Sequence, residues 1–472
     1  MTCCWQWLRP ACVSGLVLSV WLGGAALAGA AATEEKETDP LVLKKLETFQ
    51  DWKFGLFMHW GIYSQWGCIE SWPLIEVDTW ARPDDLKPWL ERGKDFPRFF
   101  RDYRVLNTTF NPQRFDPQCF ADAAKKAGMK YVVFTTKHHD GFCMFDTRQT
   151  DYRTTHASCP FHTNPRADAV KAVFDTFRKE GFGVGAYYSK SDWHHPGYWD
   201  PERPHRDRNV NYDTHKEPDK WARFVKFTHA QIEELMSGYG PIDILWLDGG
   251  QVRPPAQDID MPHLAAMARR HQPGIIVVDR TVGGRYENYR TPEQEVPAKA
   301  LPYVWETCMT MGDQWSFKPN DKYKPTRQLI HLLVDIVAKG GNFLLNIGPD
   351  SDGQFAPEAV QRLEQIGRWM SVNGEAIYGT RAVAPYKQGR VCLTKKGDKL
   401  YLIYLAEPTQ TAPPAEIVLP AITKAASVRM LGAEAKVQWT AGPAGLTIRV
   451  PEAVHQSPPC EHAWAWEVTG AP

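Results

Sequence analysis

The chain runs to 472 residues and carries 55 basic against 55 acidic side chains, a formal net charge of zero. That length has room for one large catalytic domain plus a smaller module. With no basic surplus and no acidic tail, the composition argues against a nucleic-acid partner.

Residues 1–30 read as a targeting segment. Arg9 supplies the positive start, the apolar stretch 11–27 is short, and Ala26-Leu27-Ala28 or Ala28-Gly29-Ala30 fits a signal-peptidase site. A membrane anchor is the competing reading. The apolar stretch is rich in Gly and Ala, however, and gives way to Thr33-Glu34-Glu35-Lys36-Glu37 with no stop-transfer flank. The expectation is an exported chain without stable membrane insertion, periplasmic or extracellular, or lysosomal in a eukaryotic host. The cysteines beyond this segment are scattered and form no CxxC pair, so neither a zinc knuckle nor a disulfide framework is indicated.

Phe54-Gly55-Leu56-Phe57-Met58-His59 gives a first strand, followed by a long polar and aromatic insertion up to residue 111. Then the pattern becomes regular. Asp116-Pro117 opens a helix, with Asp as the cap and Pro in the first turn, and Gly128 closes it. A strand over 130–135 runs into Lys137-His138-His139-Asp140-Gly141-Phe142. The unit recurs: Val170, Val173, Phe174 and Phe177 make one helical face, and a strand over 182–188 follows. Further helices are expected over 218–237, 261–271 and 326–339, each ahead of a short apolar strand, with a last helix over 357–372. Helices alternating with such strands predict a parallel (β/α)8-like TIM barrel over 31–380. Beyond residue 380 the helical period gives way to strand-like runs punctuated by Pro and Gly, which predict a C-terminal β-sandwich over 381–472.

Polar groups collect at the C-terminal ends of the strands, which form the mouth of such a barrel. Asp248 closes the apolar run Ile242-Asp243-Ile244-Leu245-Trp246-Leu247. An acid at that point signals chemistry, although Asp-Gly is also an ordinary turn dipeptide. His59, His138, His139, Asp140, His194 and His195 raise the question of a metal, but adjacent pairs lack the spacing that puts two imidazoles on one ion, so no metal is expected. Neutral imidazoles suit hydroxyl recognition, each offering one donor and one acceptor. His194-His195 reads as a solvated loop.

Six blocks in order resemble the family 29 glycoside hydrolases, the α-L-fucosidases. They are Phe54-Gly55-Leu56-Phe57-Met58-His59-Trp60-Gly61, Lys137 to Phe142, Tyr187-Tyr188-Ser189, Trp246-Leu247-Asp248, Asp279-Arg280, and Gly340-Gly341-Asn342-Phe343-Leu344-Leu345-Asn346-Ile347-Gly348-Pro349. The resemblance spans residues 45 to 380. It implies a barrel followed by a β-sandwich and a retaining mechanism with no metal and no organic cofactor.

Carried onto this chain, the resemblance makes Asp248 the nucleophile that forms a covalent fucosyl-enzyme. It makes Glu293 the acid/base, with Glu287, Glu295 and Glu306 as rivals. It also implies a sugar-binding set of His59, His138, His139, Tyr187, Arg280 and Trp315, in which Arg280 keeps Asp248 ionised through its opposite charge. Trp315 would pack on the C5 methyl that distinguishes fucose from galactose, a contact worth ~1 kcal/mol. Glu70 and Trp72 resemble the family's acidic–aromatic pair, with Ser71 interposed where the two often adjoin. The loop 289–297 and the insertion 82–111 are expected to shape the leaving-group side. The implied substrate is a fucosylated oligosaccharide or glycoconjugate. An α-galactosidase-type exo-glycosidase and a catalytically inactive fucose-binding protein are the alternatives.

Overall fold

The computed structural model describes residues 36–471, so the export signal expected over 1–30 lies outside the described residues. The helix signals in the sequence are met by capping contacts. Asp116 accepts from the Gln118 N–H at the start of Pro117–Ala127, and Gly128 ends that helix at φ +84°. Asp168 caps Ala169–Lys179, whose buried face is made of Val170, Val173, Phe174 and Phe177. Among the described residues no helix is long and apolar enough to cross a membrane.

Seven short parallel strands curl into a barrel: β1 (Phe54–Met58), β2 (Tyr131–Lys137), β3 (Gly183–Ser189), β4 (Ile244–Asp248), β5 (Ile276–Asp279), β6 (Glu306–Thr310) and β7 (Asn342–Asn346). Their spatial order is β5-β4-β3-β2-β1-β7-β6. Almost every residue in them is buried, which is why they read as apolar runs rather than alternations.

The eighth position of the expected barrel is filled differently. Between β5 and β6 an irregular segment makes isolated bridges: Val278 with Glu287, Arg290 with Trp305, and Glu293 with Cys308. The Asn288 N–H donates to Val277 O at 2.9 Å on one side, while Glu306 N–H donates to Arg290 O at 2.9 Å and Cys308 N–H to Pro292 O at 3.2 Å on the other. Pro292 has no N–H to give a ladder and Gln294 sits at φ +57°, so the stretch stitches the two strands together without becoming a strand. Glu293 is carried on this stave.

The barrel interior is an aromatic column. The helix Pro40–Trp52 plugs its lower end, Phe49 stacking on Tyr289 at 4.4 Å and Trp52 on Tyr131 at 5.5 Å. A Cβ on Gly55 would lie 2.4 Å from the Tyr131 ring, so only glycine fits beside it. Above these rings Glu306 takes hydrogen bonds from Tyr131 Oη at 2.6 Å and Trp246 Nε1 at 3.3 Å.

The C-terminal region is antiparallel. A five-stranded sheet (Ser427–Met430, Ala463–Thr469, Lys399–Leu405, Val391–Lys396, Arg381–Gln388, in spatial order) shares one core with a three-stranded sheet built on Gly445–Arg449. The strand Ala463–Thr469 is buried on both faces. Ala463 and Ala465 belong to the barrel's core, while Trp464, Trp466 and Val468 belong to the sandwich core. The seven cysteines of the described chain are all free.

Candidate active site

β4 delivers Asp248 to the mouth of the barrel, and four neighbours converge on its carboxylate. Tyr187 Oη donates to Oδ2 at 2.7 Å, the Gly249 N–H to Oδ1 at 2.8 Å and Arg280 Nη1 to Oδ1 at 3.2 Å, while His139 Nε2 stands 3.8 Å from Oδ2. Gly249 turns its N–H back onto the acid by taking φ +89°. Burial on its own would raise the Asp248 pKa, but the charge of Arg280, the nearby His139 imidazole when it is protonated at low pH, and the Tyr187 and Gly249 hydrogen bonds outweigh it and hold the group well below the ordinary aspartate range. This acid is ionised throughout the neutral range.

Arg280, at the end of β5, bridges the two acids expected to react. Its Nη1 holds Asp248, its Nη2 holds the Glu293 carboxyl, and the guanidinium lies over the Trp246 ring, 5.0 Å from its centroid. The Glu293 side chain is 42% exposed against 16% for Asp248, so one acid sits at the floor and the other at the rim. The rivals lie elsewhere. Glu287 braces its own loop, accepting from Thr281 N and Gly283 N and pairing with Arg290. Glu306 is inside the barrel beneath Trp246. Glu295 is exposed and outside the cavity lining.

The three histidines are held by their Nδ1 atoms. Asn346 donates its amide to Trp315 O at 2.6 Å, so its Oδ1, 2.7 Å from His59 Nδ1, is an acceptor and the His59 proton is on Nδ1. His138 Nδ1 meets Ser71 Oγ at 2.6 Å, and His139 Nδ1 meets Ser189 Oγ at 2.6 Å. Burial pushes His59 and His139 down to about 4 and His138 well below its ordinary value, so all three are neutral. Ser71, which reads in the sequence only as a spacer, is the residue that orients His138. Glu70 takes φ +34°, accepts from the Ser316 N–H at 2.6 Å through Oε1, and has no protein partner on Oε2 among the described residues. Burial pushes its carboxyl up to about 8.

Trp315 lies 5.2 Å from the His59 ring and 5.9 Å from Phe57, an apolar wall. Trp72 packs edge-on to His139 at 5.3 Å. All ten residues expected at the site, namely His59, Glu70, Trp72, His138, His139, Tyr187, Asp248, Arg280, Glu293 and Trp315, line a single cavity of about 400 Å³, within the size range of small-ligand sites.

Two sequence expectations need correction. The insertion 82–111 supplies no wall to this cavity; Arg208, Gln251 and Arg253 do, from loops after β3 and β4. Arg82 instead ties down the carbonyls of Pro73, Ile75 and Glu76. His194-His195 is not a solvated loop. Asp192 caps both backbone N–H groups, His194 stacks on Tyr152 at 3.9 Å and His195 packs at a tilt against Phe227 at 4.2 Å. His138, His139 and Asp248 bring one ligand atom each to within 4.8 Å, a closeness the adjacent pair in sequence conceals. The fit to a cation is nevertheless poor, because Arg280 already occupies Asp248 with a positive charge.

An ionised acid at the floor, a second acid at the rim and neutral imidazoles between them form the equipment of glycosidic-bond hydrolysis. Comparison with known proteins agrees. A family profile described as "Alpha-L-fucosidase" matches residues 25–375, and one described as "Alpha-L-fucosidase C-terminal domain" matches 387–469. Tissue alpha-L-fucosidase of Homo sapiens is 29% identical over 98% of both chains. Alpha-L-fucosidase isoenzyme 1 from Paenibacillus thiaminolyticus is 30% identical, with a TM-score of 0.74 over 92% of this chain and 100% of that one. A Thermotoga maritima alpha-fucosidase solved in complex with fucose is 27% identical, with a TM-score of 0.71 over 90% and 96%. The chain belongs to the α-L-fucosidase family of glycoside hydrolases, family 29.

Proposed function

We propose that this protein is a retaining, exo-acting α-L-fucosidase that removes terminal α-L-fucosyl groups from oligosaccharides or glycoconjugates by double displacement. The observation that carries this reading is the Arg280 bridge: one guanidinium holds Asp248 and Glu293 in one sugar-sized cavity.

In the first step Asp248, kept ionised, attacks the anomeric carbon while Glu293 gives its proton to the departing glycosidic oxygen. In the second step Glu293 takes a proton from water, whose oxygen attacks the same carbon and expels Asp248. Glu293 must leave Arg280 to reach the glycosidic oxygen, so substrate binding has to exchange that contact for one with the leaving group. The cavity floor, closed by Phe57 and Trp246, accommodates a terminal residue rather than a chain passing through, which supports exo action. The neutral imidazoles of His59, His138 and His139 and the free Glu70 Oε2 suit ring hydroxyls, and the Trp315 face suits the C5 methyl. The fucose bound to the Thermotoga maritima relative supports the same choice of sugar.

The test is Asp248→Gly assayed on an activated aryl fucoside. Turnover is expected to fall to background, and azide is expected to restore it with formation of the inverted fucosyl azide. Wild-type turnover in that variant sinks the nucleophile assignment, and a panel of nitrophenyl glycosides with galactoside preferred over fucoside sinks the choice of sugar. Export through the segment 1–30 belongs to the same proposal, and a mature N-terminus beginning near residue 31 in the secreted protein is the result that supports it.

A further inference from the structure

Two cations on the cavity wall have no part in the displacement at the anomeric carbon. Arg208 stands on the loop after β3, its guanidinium 4.7 Å above the Trp72 ring and Nη2 3.4 Å from Asp78. Its carbonyl accepts from Tyr198 Oη at 2.9 Å and Trp193 Nε1 at 3.3 Å, so both ends of the residue are fixed. Arg253 stands on the loop that leaves Asp248. Its side chain is exposed at the mouth and has no partner among the described residues. The loop beneath it is anchored, because buried Lys190 donates to Val252 O at 3.0 Å and Gln257 N–H donates to Arg253 O at 3.0 Å. Gln251, between them, reaches the Arg208 carbonyl at 3.4 Å. The negative groups nearby are engaged: both Asp248 and Glu293 are on Arg280. Outside the cavity lining, Trp80 is 55% exposed, its ring 5.9 Å from that of Trp72. The rim of the cavity therefore offers the Trp72 indole and, at Arg253, an exposed guanidinium with no ion-pair partner among the described residues.

We propose that the leaving-group side of this cavity takes an acidic glycan, one whose sugar next to the fucose carries a sulfate ester or a carboxylate seated against Arg253 and Arg208. The proposal rests on the fucosidase reading and narrows its substrates. A planar guanidinium held on an indole matches the paired oxygens of either acid, and an unpaired arginine at the rim gives up no existing partner on binding. Because the protein as a whole has no net charge, the preference is local and is screened by salt over about 10 Å.

The test compares three substrates with the same fucosyl linkage: a neutral aglycone, the same aglycone sulfated, and the same aglycone bearing a carboxylate. Values of kcat/KM are measured at low and high ionic strength on the full chain and on Arg253→Ala and Arg253→Glu, with a small aryl fucoside as internal reference. The expected wild-type result is a preference of about fivefold for an acidic substrate at low salt, falling towards parity near ~1 M salt. Arg253→Ala should erase most of that ratio and Arg253→Glu invert it. Preference for only one of the two acids identifies which the site takes. Equal kcat/KM for neutral and acidic substrates in the wild type overturns the proposal, as does a preference that Arg253→Glu leaves in place. Failure on the aryl fucoside would instead count against the fucosidase reading itself, so the two results are distinguishable.

Discussion

At the scale of single residues, environment separates two carboxyls that the sequence presents as equals. Asp248 is enclosed and surrounded by donors, whereas Glu293 is half-exposed with one guanidinium as its partner. A nucleophile needs the first setting and a group that both gives and takes a proton needs the second. Glu293→Ala should therefore lower kcat/KM by about 10²–10⁴-fold on natural linkages, where the leaving oxygen needs a proton. It should cost least on activated aryl fucosides, and the basic limb of the pH profile should disappear. A loss independent of the leaving group would remove Glu293 from that role. That Asp248, His59, His138, His139 and Arg280 meet in one cavity was legible because they sit at strand ends inside recognisable runs. That Glu293 lines the cavity while Glu287 and Glu295 do not was legible only through the resemblance, since spacing along an irregular segment does not say which side chains turn inward. The role of Ser71 was not legible, since its partner His138 lies far along the chain, just past the end of β2.

At the scale of elements, Asp248 and Arg280 are positioned by contacts between neighbouring strand ends. The Lys190 N–H donates to Asp248 O at 2.9 Å, the Arg280 N–H donates to Leu247 O at 3.1 Å, and the buried Lys190 ammonium joins Val252 O to the Asp279 carboxylate. Lys190 thus ties the loop after β4 to the residue preceding Arg280. Lys190→Met would leave Asp279, 3% exposed, as an unpaired buried charge, which costs on the order of 3–5 kcal/mol. It should also lower kcat by loosening the Asp248–Arg280 register. Adding Asp279→Asn removes the orphaned charge, so the double variant should regain most of the stability but not the full kcat. Thermal unfolding followed alongside steady-state kinetics checks both halves. A double variant no more stable than Lys190→Met would mean that the pair is not the source of the loss. The stave between β5 and β6 belongs to this scale too. It was invisible in the sequence because a segment with Pro292 and a left-handed Gln294 carries no period, although its hydrogen bonds do a strand's work.

At the scale of the whole molecule, the barrel was legible from helices alternating with buried strands, and the sandwich from the loss of helical period. Their seam was not: Ala463–Thr469 is buried on both faces and so lacks the alternation that would assign it to either core. The column down the barrel axis connects the plug helix to the site through one buried acid, Glu306, and that acid has a consequence for stability. Burial, against hydrogen bonds from Tyr131, Trp246 and Tyr289, pushes its carboxyl up to about 7. The folded state therefore keeps a proton that the unfolded chain has released above about pH 4.5. With more protons bound in the folded state, its contribution to stability is fully present below about pH 4.5 and falls as the pH rises to about 7, by an amount on the order of 3 kcal/mol. Glu306→Gln keeps an acceptor for Trp246 and has no charge to bury. The difference in stability between this variant and the wild type should therefore shift in the variant's favour between pH 5 and pH 8 and level off above that. Asp140, also pushed to about 7, and Glu70 slope the same way, whereas the neutral histidines and Lys53, lowered to about 7, slope the other way. For that reason the difference curve, rather than the wild-type melting profile, isolates Glu306. Melting temperatures of the two proteins measured in parallel across that range are the check. A difference that stays flat with pH would mean that Glu306 carries the same charge folded and unfolded, and that the column beneath Trp246 is held by an ion rather than by a protonated acid.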